Sequence, residues 1–357
     1  MPAGLSAAEN QSVGLSKLSN IFANPINAPY RFLQDVLVHI HRSTASARFS
    51  SVIIAILFSI CFYFLLKSWL GKSIALLTSL LLVFTPYFII ASRNATPDIM
   101  YFSPILIMAA YGYSTRWPER RLPAILLLLS VVFSLYVPGL LWLVGFMVVY
   151  RYSRLREIAF HAELKTKDLL LLLLLALVLL SPLIVGLAFH PSHVRQWLLV
   201  PANFMSLSGS LKSWLWAISA FGLSAHAHQD LIIGRLPLLN LAQVALLVFG
   251  GYVMWSRLRN ELFIILGLCL FICLLSGLSG TYAALALALP LLLIVVGLGL
   301  RYLYIEWRHV FPNNPLARVF AIGLMSAVVL AHVLLGVRYS LVAWPATVAT
   351  HKVNVLK

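Results

Sequence analysis

The chain has 357 residues, of which 61% are hydrophobic and only 10% are charged. A soluble domain carries about 25% charged residues, so this composition excludes a fold whose whole surface faces water. The formal net charge is +16, but the Lys and Arg residues are spread between apolar segments, which argues against nucleic-acid binding. Most of them fit the basic loops of the positive-inside rule, and attraction to anionic lipids or to a phosphate-bearing substrate is the alternative.

The first 50 residues are polar and form a predicted external loop. Within them, residues 29–42 are amphipathic at helical spacing. The apolar face comprises Phe32, Val36, Leu37 and Ile40. This pattern predicts a helix lying in the membrane interface, with Asp35 on its polar, surface-exposed side.

Apolar runs follow along almost all of the remaining chain, several of them near the ~20 residues that cross a hydrocarbon core. They fall at 52–70, 74–91, 99–114, 122–150, 168–188, 236–255, 261–277, 281–300 and 319–338. The run 122–150 is interrupted by Tyr136-Val137-Pro138-Gly139, which predicts a hairpin of two short helices. Because a helix satisfies its own backbone hydrogen bonds in lipid, the predicted fold is all-α, a polytopic bundle of about ten transmembrane helices over 51–340.

Basic loops predict the orientation of this bundle. Their residues are Arg116, Arg120 and Arg121; Arg151, Arg154, Arg156, Lys165 and Lys167; Arg257 and Arg259; and Arg301, Arg308 and Arg318. With the hairpin at 122–150, all four loops fall on one side, which is predicted to be cytoplasmic. Residues 1–50, 92–98, the large loop 189–235 and the C-terminal tail 341–357 are then external. No apolar segment precedes residues 1–50, so either a first span is missing from the chain or the helix count is off by one.

Acidic residues are few enough to place one by one. Six lie in or beside the basic loops, where charge pairing with Arg and Lys is expected. The four external acids are Glu9, Asp35, Asp98 and Asp230. An enzyme acting at the outer face requires a general base or a metal anchor there, and elimination leaves Glu9, Asp98 and Asp230. Asp98 also fits a simpler role, since an acid in the first turn of a helix favours the helix dipole.

A metal site is one interpretation of the external acids. Asp98 together with His226, His228 and Asp230 of the HAHQD segment could ligate a divalent metal, although the spacing matches no standard site. The alternative is that no metal is required. No other cofactor is predicted.

Several stretches follow a pattern seen in a known family. They are residues 46–50, 70–73 and 85–87, which flank a pair of spans; the Ser-Arg to Pro-Asp loop at 92–98; residues 234–239, which enter a span after the large loop; and the loop 307–318. On these residues the chain resembles the C-class, polyprenyl-phosphate-dependent membrane glycosyltransferases. That superfamily includes the protein O-mannosyltransferases and the aminoarabinose transferases of lipid A.

The resemblance implies site residues. Residues 4–9 are similar to the acidic end of the family's first-loop motif, so Glu9 takes that catalytic position, Asp98 the second carboxylate position, and Arg93 binds substrate beside them. The family's first span would precede Gly4 and is absent from the chain.

The lipid phosphate in this family often meets an Arg-Tyr pair that opens a late span. Here that place reads Thr281-Tyr282, so Tyr282 is retained and another cation must bind the phosphate. The candidates are Arg195, Lys212 and Arg235, each of which also fits an interfacial anchor.

The resemblance implies transfer of a sugar from a polyprenyl-phosphate donor to a lipid, glycan or protein acceptor. The active site would lie on the external face of a cell membrane, among membrane lipids. Trp197, Trp214 and Trp216 in the large loop either close over the sugar or anchor the loop. The rival classes are a lipid or small-molecule transporter or flippase, and an inactive scaffold. Transporters place ionisable residues within their spans, where this chain has few.

Overall fold

The computed structural model describes residues 4–17, 20–21, 23–161, 166–201, 205–223 and 236–346. Within these ranges the chain forms sixteen α-helices connected by short 3₁₀ and π segments. They are α1 (Ala7–Leu15), α2 (Ala28–Ile40), α3 (Thr44–Leu70), α4 (Lys72–Val83), α5 (Pro86–Arg93), α6 (Pro104–Arg116), α7 (Arg121–Ser134), α8 (Leu140–Tyr150), α9 (Tyr152–His161), α10 (Thr166–Phe189), α11 (Pro191–Leu198), α12 (Leu207–Ser219), α13 (Leu241–Arg257), α14 (Arg259–Ser279), α15 (Leu289–Val310) and α16 (Pro315–Arg338).

The predicted polytopic all-α membrane fold is confirmed. Among the described residues, five helical stretches are long and apolar enough to cross a membrane, and a sixth is possible if α4 and α5 count as one bent span. The five are α3, α10 from Leu170, α14, α15 with its preceding 3₁₀ turn, and α16 with its continuation. Helices α7, α8 and α13 are apolar but shorter, so fewer helices meet the length of a full span than the ten predicted crossings.

Two predicted spans are interrupted by proline. The span predicted at 74–91 bends by 64° between α4 and α5, because Pro86 has no N–H to donate and its ring clashes with the preceding turn. The span predicted at 99–114 is also interrupted: Pro97–Phe102 is a 3₁₀ helix, and α6 begins only at Pro104. The hairpin predicted at 122–150 is confirmed, with α7 and α8 meeting around Gly139, whose φ of 78° favours glycine.

The ends of two predicted segments differ. Helix α3 begins at Thr44, not at 52, because Ser43 caps it by accepting a 3.1 Å hydrogen bond from the Ser46 N–H. The predicted tail continues α16 as a π-helix, Tyr339–Ala343, and a 3₁₀ turn that ends at Ala346. Residues 347–357 lie outside the described residues.

Helix α2 is the predicted amphipathic helix. Phe32, Val36 and Ile40 on its apolar face are exposed by 50%, 36% and 75%, as a helix lying against lipid requires. Its polar side is buried against the bundle, and the expected surface position of Asp35 is wrong: this residue is only 4% exposed, and one carboxylate oxygen lies 3.3 Å from the His39 ring.

The bundle has two ends. At the end called here the basic end, ion pairs connect consecutive loops: Arg121 lies 3.4 Å from Asp168, and Arg151 lies 2.6 Å from Glu261. Arg301 reaches the same end by donating to the carbonyl of Trp69. The basic loops therefore share one face, as the charge pattern predicted. Helix α3, with 27 residues and a rise of about 1.5 Å per residue, extends about 40 Å from there to the opposite end.

Candidate functional site

Glu9 is the centre of a hydrogen-bonded cluster at the opposite end, called here the site end. Its Oε1 accepts from Arg48 Nε (2.7 Å) and from the Ala95 N–H (2.9 Å), while Oε2 accepts from Arg48 Nη2 (2.9 Å) and from the Ser6 N–H (2.8 Å). Ser6 and Glu9 form a capping box at the start of α1. Glu9 thus connects α1, α3 and the loop after α5.

The electrostatics of Glu9 follow from these contacts. Burial alone raises the pKa of the Glu9 carboxyl, but the hydrogen bonds from Arg48, Ser6 and Ala95 outweigh burial and hold the pKa below its usual value of 4.5. Glu9 is therefore an ionised carboxylate with donors on both oxygens. This arrangement favours a positioning role over proton abstraction, and the predicted catalytic role of Glu9 stays a prediction.

A second buried set of side chains holds the loop that leads to Asp98. Gln34 Nε2 donates to the carbonyls of Ala95 (3.0 Å) and Ala47 (3.3 Å). Ser51 Oγ donates to the Asn94 carbonyl at 2.6 Å and lies 2.8 Å from the Tyr30 hydroxyl. These contacts fix an irregular backbone segment from both sides, as a precisely placed functional loop requires.

Asp98 lies in the first turn of the 3₁₀ helix that this loop enters. It is half-buried, and its Oδ2 accepts a 2.6 Å hydrogen bond from the Thr96 hydroxyl. Burial raises the pKa of Tyr30, and the charges of Asp98 and Glu9 raise it further. Both predicted carboxylates therefore lie near Tyr30, at one end of the bundle.

Arg93 lies at the end of α5, two residues before the Ala95 N–H that binds Glu9. It is half-buried, and its Nη1 donates to the backbone carbonyl of Ser340. This contact joins the site loop to the end of α16. Arg93 therefore lies at the same end of the bundle as Glu9 and Asp98, and its binding of substrate stays a prediction.

Tyr282 begins a second 3₁₀ helix, Tyr282–Leu287, which packs against the one containing Asp98. Tyr87 supports this contact by donating to the Ala283 carbonyl at 2.9 Å. Thr281, immediately before, faces a cavity of about 520 Å³ whose other wall is α11 with Arg195. Arg195 thus lies across the cavity from Thr281, the position where the resemblance implies an arginine.

Lys212 and the loop tryptophans have simpler surroundings. Lys212 is exposed, with its Nζ 5.1 Å from the centre of the Trp216 ring. Trp197 donates its indole N–H to the Leu135 carbonyl (2.7 Å), and Trp214 donates to the Leu270 carbonyl (3.1 Å). These bonds anchor α11 and α12 to the bundle. Substrate contact by Lys212 stays a prediction.

Arg31 is a cation that sequence reasoning missed. It is 6% exposed, and its Nη1 donates to the Asn24 carbonyl at 2.8 Å. Its Nε has no hydrogen-bond partner within the described chain, and Arg31 takes part in none of the ion pairs found there. Burial lowers the pKa of Arg31 to about 10. The signal in the sequence was its place on the polar side of α2.

Helix α11 lies close to Arg31. Desolvation lowers the pKa of His193, and the charges of His190 and Arg31 lower it further. The Nδ1 of His193 is buried and has no partner among the described residues. Arg31 therefore lies near α11, the helix that contains Arg195, so this region of the site end carries two positive charges.

The predicted metal ligands and one predicted cation fall largely outside the described residues. His226, His228, Asp230 and Arg235 belong to the undescribed segment 224–235. In the ranges that the structure describes, no three His, Cys, Asp or Glu side chains group together as metal ligands. Asp98 is the one predicted ligand with a described position, and a single carboxylate does not make a metal site. The metal stays a prediction.

Comparisons with known proteins agree with this geometry. Residues 29–185 match the model of a family described as dolichyl-phosphate-mannose-protein mannosyltransferase. The structure of ArnT from Cupriavidus metallidurans in the apo state is similar, with a TM-score of 0.57 and 14% sequence identity over 98% of this chain and 70% of that chain. The same protein bound to undecaprenyl phosphate has a TM-score of 0.58 and 13% identity over 98% and 71% of the two chains. No curated protein sequence matches.

The matched segment begins in α2, contains Asp98 and Arg93, and ends in α10. The similar structures extend the likeness of fold to nearly the whole chain. The family match over residues 29–185 and the shared fold agree with the resemblance that the motifs predicted.

Proposed function

We propose that the chain transfers a sugar from a polyprenyl-phosphate donor to an acceptor hydroxyl at the site end of the bundle, with Asp98 as the general base. The observation that carries this proposal is the placement of Asp98. Its half-buried carboxylate lies on a short 3₁₀ helix that is held between the Glu9 cluster and the helix Tyr282–Leu287. One of the similar structures, that of ArnT, contains undecaprenyl phosphate, which supports a donor of this class.

The reaction is a single displacement. Asp98 takes the proton of the acceptor hydroxyl, the acceptor oxygen attacks the anomeric carbon of the sugar, and the bond from that carbon to the phosphate oxygen breaks. The phosphate leaves with the electron pair, so the anomeric configuration inverts. Thr96 orients the base through its 2.6 Å hydrogen bond, and a positioned base of this kind typically contributes about 10²–10⁴-fold to the rate.

Cations offset the charge that develops on the leaving phosphate. Arg195 faces the cavity beside Thr281, and Arg31 is a buried cation without an ion-pair partner among the described residues. A buried, unpaired charge gains more from an incoming anion than an exposed one does, because water screens it less. The donor phosphate therefore belongs near α11, and the sugar between that helix and Asp98.

The external location of the site is part of this proposal. The basic loops lie at the far end from Asp98, and the positive-inside rule places such loops in the cytoplasm. A polyprenyl-phosphate donor could reach the site from the outer leaflet of the cell membrane. The acceptor is a lipid, a glycan or a protein that carries a free hydroxyl group.

The test is sugar transfer by the purified chain in lipid nanodiscs, with radiolabelled polyprenyl-phosphate sugars and a mixture of membrane and protein acceptors. Asp98→Asn should lower kcat by about 10²–10⁴-fold while the KM for the donor changes little. The matched control is Asp168→Asn, at the basic end, which should keep the original rate. Full activity of Asp98→Asn, or an equal loss in both variants, would contradict the assignment. Parallel reactions with EDTA decide whether a metal takes part.

A further inference from the structure

A second cavity, called here the lateral groove, lies between α3, α6 and α7 near the basic end. Its volume is about 890 Å³, within the range of roughly 300–1,000 Å³ that accommodates small molecules. Its walls are mostly apolar, and Leu57, Phe64 and Leu126 among them are exposed. The groove therefore opens on the outer surface of the bundle, where the surrounding phase is lipid.

The groove has the depth of one leaflet. It extends along α3 from Leu57 to Gly71, a distance of about 21 Å at 1.5 Å per residue. Half of the hydrocarbon core is about 15 Å thick, so the groove reaches from near the middle of the bilayer to the headgroup region. An acyl chain lying along α3 would fit this length.

Positive charge lies at the end of the groove that is nearest the basic end of the bundle. Lys67, Lys72 and Arg116 line it there, and none of its lining residues is acidic. The ion pairs found between described residues include none of these three cations. Lys72 is also the first residue of α4, so the positive end of that helix dipole adds to the field. Apolar walls with cations at one end complement a molecule with an acyl chain and an anionic head.

We propose that the lateral groove binds an anionic phospholipid from the leaflet at the basic end. The acyl chain lies between α3, α6 and α7, and the headgroup phosphate contacts Lys72 and Arg116. This lipid is separate from the sugar donor, because the 13 residues of α3 from Thr44 to Leu57, about 20 Å, lie between the site end and the near edge of the groove. The bound lipid would fill the space between α3, α6 and α7. It would thereby stabilise the packing of α6, the helix that follows the 3₁₀ helix containing Asp98.

The test measures binding of a fluorescent phosphatidylglycerol to the full-length chain in detergent, with phosphatidylcholine as the competitor. The wild type should prefer phosphatidylglycerol. The double variant Lys72→Gln/Arg116→Gln should bind it about 25-fold more weakly, since each cation near an anionic head contributes about a factor of five. The matched control is Arg257→Gln/Arg308→Gln, which removes two exposed cations elsewhere at the basic end and should bind normally.

A second variant tests the apolar part of the groove. Ala109→Phe adds a ring to its wall and leaves every charge in place, so it should weaken phosphatidylglycerol binding while the elution volume in size-exclusion chromatography stays unchanged. Equal binding of the two phospholipids, equal losses in the two double variants, or binding of polyprenyl phosphate in place of phosphatidylglycerol would overturn the proposal. Sugar transfer is not the readout, so these outcomes are independent of the proposed reaction.

Discussion

Glu9 and Arg48 form the most buried ion pair among the described residues, with side chains only 3% and 13% exposed. In the sequence, Glu9 lies in the predicted external loop, and Arg48 lies shortly before the first predicted span. These positions did not indicate that the two would meet, because the residues are 39 positions apart. What the pair does is connect the first helix to the site loop through the Ala95 N–H.

Glu9→Gln should lower the stability of the protein at neutral pH. Removing one partner of a buried ion pair typically costs about 3 kcal/mol, because the other charge stays buried. The pKa of Glu9 is lowered in the folded chain, so its stabilising effect is present above the unfolded value and is lost as pH falls through the folded pKa. Thermal unfolding in detergent should therefore show a large difference from wild type at pH 7 that shrinks below pH 4.5.

The exposed pair Arg154 and Glu157, which are 2.8 Å apart, supplies the control. Glu157→Gln should change stability by less than about 1 kcal/mol at any pH, because solvent screens that pair. A Glu9→Gln penalty that does not depend on pH would contradict the account of Glu9 as an ionised, charge-paired carboxylate.

Arg195 and Lys212 were equal candidates for the phosphate on sequence grounds, and their surroundings now differ. Arg195→Gln should raise the KM for the polyprenyl-phosphate donor by about 10-fold or more, since hydrogen bonds to charged groups contribute about 1.5–3 kcal/mol. Lys212→Gln should leave KM unchanged, because that ammonium stacks on Trp216. Steady-state transfer kinetics at varied donor concentration decide this. The reverse ranking would place the phosphate at α12.

At the scale of helices, the break at Pro86 is supported by side chains from distant helices. The Leu81 carbonyl accepts from Gln243 Nε2 (3.2 Å) on α13 and lies 3.0 Å from His332 Nε2 on α16. His332 also contacts Asn240, at 2.7 Å. These contacts supply hydrogen-bond donors to a backbone carbonyl that loses its helical partner at the bend, which a helix within the membrane requires. These partners explain why a histidine lies within the apolar helix α16.

Helices α13 and α15 show how small residues permit close packing in a membrane protein. A Cβ on Gly250 would lie 1.9 Å from the Val295 carbonyl oxygen, whereas a Cβ on Gly251 would meet nothing within 4 Å. Gly250→Ala should therefore destabilise the bundle by about 1–3 kcal/mol, because the backbone of α15 at Val295 must move to make room for the methyl group. Gly251→Ala is the adjacent control and should be neutral or slightly stabilising, because alanine favours helix. Thermal unfolding of the two variants in detergent checks this, and equal effects would contradict it.

At the scale of the whole molecule, the basic loops and the proposed catalytic residue Asp98 lie at opposite ends of the bundle. Arg121, Arg151 and Arg301 define the basic end, and Asp98 lies at the other. In the proposed function, this separation gives the lipid-linked reaction one face of the membrane and leaves the other to the loops that set orientation.

The orientation can be tested with two exposed serines. In a background without Cys61, Cys269 and Cys273, a membrane-impermeant maleimide added to intact cells should label the Ser192→Cys variant. It should label the Ser153→Cys variant only after the membrane is opened. Ser192 is the second residue of α11 and lines the proposed donor cavity, and Ser153 lies two residues after Arg151 of the Arg151–Glu261 pair. Labelling of Ser153→Cys from outside would invert the proposed topology.

The sequence by itself determined the membrane environment, the helical class, the basic face and the family resemblance, because each of these depends on composition or on short local motifs. Periodicity also predicted α2, and the interruption of an apolar run by Tyr136-Val137-Pro138-Gly139 predicted the hairpin around Gly139. The bends at Pro86 and Pro97 went unpredicted, since whether a proline breaks a span depends on partners such as Gln243 that satisfy the freed backbone groups.

Only the tertiary structure decided how the candidate site residues are used. Glu9 and Asp98 were equivalent carboxylates in the sequence, but contacts from α1, α3 and the site loop surround both oxygens of Glu9 and leave Asp98 half-buried. Arg31 lies near His193 of α11, the helix that contains Arg195, although the two arginines are 164 residues apart in the sequence. The environment of a charged side chain depends on distant segments that folding brings together, and for that reason no local pattern could rank these residues.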